Sequence, residues 1–212
     1  MVDSLSERVA RELEAHPRPA EADEAKHPWL TILLDTYHLL STGASLSLAE
    51  EEARRGIKVA CGAGCDSCCL RPEVPVSQLE VLGLWWFVVE KMAPEERQRL
   101  NGRLLNHRRS LECPFLMDSR CAVYALRPLA CRFLHVFSAP CTPDEIPVES
   151  RPGDVWLPGR EVVRPAIMTM LKYFGFDTEA ARQQAFEQGY IASVSSLMSD
   201  FPWESLATAR KK

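Results

Sequence analysis

The sequence predicts a mainly α-helical protein, with helices at both ends around an irregular central cysteine-rich region of short strands or turns. Three observations lead there. Apolar residues recur at helical spacing on both sides of the centre, helix caps stand where those runs begin, and prolines punctuate the stretch from Cys113 to Cys141. With 212 residues, 46% of them hydrophobic, the chain is long enough to bury roughly 70% of its unfolded surface without covalent staples.

Ser4 to Ala15 predicts a short amphipathic helix, broken at Pro17 and Pro19. The Ala-, Glu- and Pro-rich stretch Pro17 to Pro28 reads as a mobile linker. Residues 1–28 are thus set apart as an N-terminal helix and linker, and 29–212 as a single globular domain holding the cysteine-cluster region 61–141. Trp29, Leu30, Leu33, Tyr37 and Leu40 mark a helical apolar face ending near Gly43; a second helix, Ser47 to Arg55, stops at Gly56. Ser77-Gln78-Leu79-Glu80 has the capping-box form and opens an apolar helix from Leu79 to Met92. Pro94-Glu95-Glu96 starts the next, acidic first and basic towards Arg108-Arg109, as the helix dipole favours. Pro114, Asp118-Ser119, Pro128 and Pro140 then break the pattern into turns, and Asp144 to Gly159 reads as an extended loop. Helices return over Glu161 to Phe174 and Thr178 to Met198, the latter with Asp177 as N-cap.

Composition excludes several functions. A net charge of −4 gives no general attraction to nucleic acid or an anionic membrane. The start, Met1 to Arg8, lacks a basic segment followed by an apolar one, and the longest apolar run, Val81 to Val89, falls well short of the ~20 residues a spanning helix needs. The expectation is a cytoplasmic protein whose thiols stay reduced. No Gly-x-Gly-x-x-Gly follows a strand, and no phosphate loop or Ser-His-Asp arrangement is present. Arg97, Arg99, Arg103, Arg108 and Arg109 read as a solvated helix face, and Trp85-Trp86-Phe87 as core.

All eight cysteines fall between Cys61 and Cys141: the knot Cys61, Cys65, Cys68, Cys69, then Cys113, Cys121, Cys131 and Cys141. Soft thiolates in such density select zinc or iron–sulfur clusters. Cys65-x2-Cys68 has the spacing by which short loops turn two sulfurs onto one ion. Gly62 and Gly64 let the backbone bend closely and aim N–H groups at sulfur. Adjacent Cys68 and Cys69 diverge, so one serves a second metal, bridges, or packs as an apolar residue. The count allows two four-sulfur sites, or one cluster with the remainder structural. A disulfide framework fits the even count, but less comfortably the adjacent pair and the missing export signal.

These words, together with Cys113-Pro114-Phe115-Leu116, Cys121-Ala122-Val123-Tyr124 and Arg127-Pro128-Leu129-Ala130-Cys131-Arg132, resemble the YkgJ-like cysteine-cluster family of zinc- or iron-chelating domains. That family includes flagellin lysine N-methylase, so the resemblance also implies protein methylation as a possible activity. The family's knot has two residues between its first two cysteines, where Cys61 and Cys65 enclose three. Cys61-x3-Cys65-x2-Cys68 also resembles the radical S-adenosylmethionine pattern. Those enzymes use a full or partial barrel, and a complete one takes about 250 residues. Here strand–helix alternation is missing and Ser67 stands where an aromatic is usual.

His135, four residues after Cys131, reads as a polar residue on a partly buried turn rather than a ligand. Arg120, Arg127 and Arg132 stand ready to neutralise a cluster or pair with an acid, and Tyr124 to pack beneath the metal loop. Three functions follow. The first is an iron–sulfur protein for electron transfer or redox catalysis, with a redox or protein partner. The second is a structural zinc-binding interaction module. The third, on resemblance alone, is a metal-dependent protein lysine methyltransferase using S-adenosylmethionine.

Overall fold

The computed structural model describes residues 3–62, 64–70, 73–107, 112–143 and 145–209. The fold is mainly helical with a few two-residue strands, and the cysteines gather in the central region. Two compact units emerge, each assembled from separated stretches: Met1–Lys58 with Trp156–Val194, and Val59–Val155 with Ser195–Lys212.

In the first unit, helix Leu5–Ala15 begins at Ser4, whose hydroxyl accepts the Glu7 N–H while the Glu7 carboxylate accepts the Ser4 N–H. An ion pair from Arg8 to Glu50 ties it to the long helix Pro28–Arg55. The intervening stretch holds a 3-10 turn, Ala22–Ala25, gripped by Arg18, which bonds both Glu24 oxygens at 2.7 Å and Asp35 at 2.6 Å.

The expected break near Gly43 is absent: one helix runs through to Gly56, which closes it in the left-handed conformation at φ 69°. Gly43 serves packing instead. A Cβ there would stand 3.3 Å from Val162 Cγ1, so the missing side chain lets helix Arg160–Met170 press close. Leu30, Leu33, Leu40, Val162, Ala166 and Met170 are buried in this unit. The last predicted helix is cut short. Thr178, not Asp177, caps Glu179–Glu187 by accepting the Ala181 N–H, and Gly189 at φ 66° breaks the chain before Tyr190–Ser193.

In the second unit, Ser77 and Glu80 form the predicted capping box for helix Gln78–Trp86, which ends in a π turn over Phe87–Lys91. Helix Pro94–Asn106 follows; the predicted end at Arg108-Arg109 lies outside the described residues. Residues 195–198, the end of the last predicted helix, instead supply strand Ser196–Leu197, antiparallel to Pro75–Val76, and the buried Met198, with the buried Trp203 following. Trp203 meets Phe115 edge to face at 4.9 Å and donates its indole N–H to the Met198 carbonyl at 2.7 Å. Leu116–Met117 and Arg120–Cys121 make a tight hairpin through Asp118 and Ser119, both at positive φ as a two-residue hairpin turn requires. The expected loop after Asp144 is structured. It holds a helical turn, Pro147–Ser150, and Arg151 clamps Glu145, Asp154 and the Ala139 carbonyl.

Candidate metal centre

Each cysteine is positioned by a local device of the second unit. Cys61 is held by a reciprocal pair of contacts with Val136: Ala60 N–H donates to the Val136 carbonyl at 2.8 Å, and Val136 N–H to Cys61 Sγ at 3.4 Å. Gly64, at φ 87°, makes the bend that lets Cys65 N–H reach the Gly62 carbonyl at 3.1 Å. The helical turn Ser67–Leu70 presents Cys68 and Cys69, and Ser67 donates its hydroxyl to the Cys141 carbonyl at 2.9 Å. The Cys69 carbonyl accepts the Cys113 N–H at 2.6 Å, joining the two halves of the cysteine set. Arg103 steadies Cys113 from the other side through its carbonyl at 3.1 Å, and Cys113 Sγ stands 3.7 Å from Met198 Sδ.

Cys121 ends the hairpin and Cys131 rides the 3-10 turn Leu129–Arg132. That turn is pinned by Glu80, a carboxylate only 3% exposed. It accepts the Leu129 N–H at 2.7 Å while capping its own helix through Ser77. Burial pushes the Glu80 carboxyl up, opposed by the hydrogen bonds from Ser77 and Leu129 and by the charge of Arg132. Sequence reading recognised Glu80 as a cap and missed this second duty, for which no local signal exists.

All eight cysteines are free thiols: Cys113 is buried, Cys68 exposed and the rest half-buried. Their mutual influence sorts them. Burial raises the Cys61 thiol, and Cys65, Cys141 and Cys68 raise it further. Cys69 is pushed up to about 12, chiefly by its hydrogen bond with Cys113. Cys68 is driven higher, first by its hydrogen bond with Cys69 and then by burial. Burial raises Cys131 strongly, with Cys69, Cys121 and Cys68 adding to it. Two neighbourhoods result. One holds Cys61, Cys65 and Cys141, the other Cys69, Cys113, Cys121 and Cys131, and Cys68 borders both. Among the described residues no three His, Cys, Asp or Glu side chains stand close enough together to hold a metal ion as they are placed.

The other candidates divide. The Tyr124 ring, expected beneath the loop, is 61% exposed and faces the Arg127 guanidinium at 4.3 Å. Arg132 donates to the carbonyls of Arg127 and Ala125. His135 lies half-buried in a short strand, and burial lowers its pKa, with the charge of Arg127 lowering it further. Arg97, Arg99 and Arg103 bond to carbonyls or carboxylates, so the basic run forms no free cationic face over its described part. Met198 and the Val136 N–H were not legible as neighbours of the cysteines, because both contacts bridge distant stretches of chain. No helix among the described residues is long and apolar enough to cross a membrane.

Residues 60–146 match the family model CxxCxxCC, described as a putative zinc- or iron-chelating domain. This is the cysteine-cluster family that the sequence motifs resemble, and the match takes in all eight cysteines. No curated protein and no solved structure matches the chain.

Proposed function

We propose that Cys61, Cys65, Cys68, Cys69, Cys113, Cys121, Cys131 and Cys141 bind metal as thiolates, and that the centre is an iron–sulfur cluster used in electron transfer or redox catalysis. The observation that carries this reading is the gathering of eight soft donors in one unit, each within the electrical influence of another, with the match to a chelating family around them. Thiols that raise one another's pKa form a set that ionises only with a cation among them. A metal supplies that cation, and its binding energy draws the loops inward as folding energy.

The chemistry of the donor set suits such a group once the sulfurs draw together. The donors are all sulfur, the Val136 N–H already points at Cys61 Sγ, and Arg127 and Arg132 bring positive charge close to Cys121. When bound, a cluster would supply one-electron transfer, its potential set by N–H···S bonds and nearby charge. This chain's own part is to hold the sulfurs and orient them through the Ser67–Leu70 turn and the hairpin. The function requires a reducing compartment and a redox partner.

The division into two neighbourhoods with Cys68 between them favours a second reading, two closed four-sulfur zinc sites stabilising an interaction surface. Anaerobic purification with absorption spectroscopy, elemental analysis and acid-labile sulfide assay separates the two. A brown protein with iron and sulfide supports the cluster; a colourless one with stoichiometric zinc refutes it in favour of zinc; absence of both metals after reconstitution refutes both.

A further inference from the structure

Arg127 closes the Tyr124–Leu126 turn, its N–H reaching the Tyr124 carbonyl at 3.3 Å. Two contacts fix it there. Its guanidinium lies over the Tyr124 ring at 4.3 Å, and its own carbonyl accepts Arg132 Nε at 3.0 Å. Nevertheless its Nε is buried and has no hydrogen-bond acceptor among the described residues. A buried charged donor left unmade is costly, and native proteins seldom tolerate one without reason. The Arg127 charge reaches the thiols of Cys68 and Cys121 and the imidazole of His135. A neutral thiol is a weak acceptor, whereas a metal-bound thiolate is an anionic one.

We infer that Arg127 is a positioning residue of the metal centre, whose Nε–H donates to the metal-bound sulfur of Cys68 or Cys121. The inference rests on the metal-binding reading above. Before metal binds, the donor waits without an acceptor; once the ion displaces the thiol proton, the sulfur becomes that acceptor. Tyr124 orients the guanidinium by holding one face, and charge alone does not reproduce the arrangement, since lysine lacks the planar fork.

The test uses the reduced full chain, titrated anaerobically with Co(II) against a chromophoric chelator and read through the sulfur-to-cobalt charge-transfer band. Arg127→Gln lowers Co(II) affinity about 10–100-fold, the usual scale for an outer-shell partner. Arg127→Lys falls between, and the metal-free unfolding midpoint stays at the wild-type value in both. A wild-type band with unchanged affinity in Arg127→Gln overturns this inference alone. So does a loss of metal-free stability that tracks the loss of affinity, which would make Arg127 merely structural. Should Arg127→Gln not fold, wild-type affinity in Arg127→Lys overturns it equally. No cobalt band in the wild type overturns this inference, and absence of both iron and zinc after reconstitution sinks the metal-binding reading itself.

Discussion

Removing the Glu80 carboxylate tests how the cysteine-bearing turn is held. The side chain is 3% exposed. It accepts three hydrogen bonds, from Ser77 N–H at 2.8 Å, Ser77 Oγ–H at 2.7 Å and Leu129 N–H at 2.7 Å. Glu80→Ala strips the return half of the cap, worth about 1 kcal/mol, and leaves the Leu129 N–H without its acceptor, costing ~1–3 kcal/mol. The Ser77 hydroxyl rotates to limit further loss, so the total comes to about 2–4 kcal/mol. Against a typical domain stability of ~5–15 kcal/mol that is a large share. Glu80→Gln keeps one acceptor oxygen, enough for the cap or for Leu129 but not both, and costs about half as much. Urea unfolding of the metal-free, reduced protein measures the loss, and hydrogen exchange at the Leu129 amide reports it locally. Glu80→Ala within ~0.5 kcal/mol of wild type, or an unchanged Leu129 exchange rate, would refute the reasoning.

Single replacement of Cys68 and Cys69 by Ser, followed by metal analysis, shows metal loss for at least one; full retention in both would remove the pair from the site. Gly43→Ala gains ~1 kcal/mol of helix propensity but forces its Cβ against the buried Val162, 3.3 Å away. The net change in thermal unfolding is slightly destabilising, and it turns stabilising when Val162→Ala is added, as a double-mutant cycle reveals. The Arg18 pair holds Glu24 down at about 2, against an ordinary value of 4.5. A depressed carboxyl stabilises above its unfolded pKa and loses that contribution as pH falls through its folded one. The stability gap between wild type and Glu24→Gln therefore closes between pH 4.5 and about 2, and a gap constant across that window would contradict the pairing.

Caps and periodicity gave the helix starts at Ser4, Ser77 and Pro94, because those signals lie within a single turn of chain. Gly43 misled because a glycine that ends a helix and one that admits a neighbour look alike in sequence; only Val162, more than a hundred residues away, distinguishes them. The return of residues 195–209 to the cysteine unit was illegible for the same reason, and Gly189 was the only local hint of a break. At the candidate site, residue type and spacing identified the donors. Their sorting around Cys68, and the service of Glu80 and Val136, depend on contacts between remote segments.

Strand Ser196–Leu197 and the buried Trp203 give the late-emerging stretch a part in the same unit as the thiols. During translation every cysteine is added before Trp203, so the contacts of Trp203 with Phe115 and Met198 form only after the whole cysteine set has been made. An excised fragment limited to 60–146 would lack Trp203, which packs on Phe115, and the Met198 sulfur that stands beside Cys113.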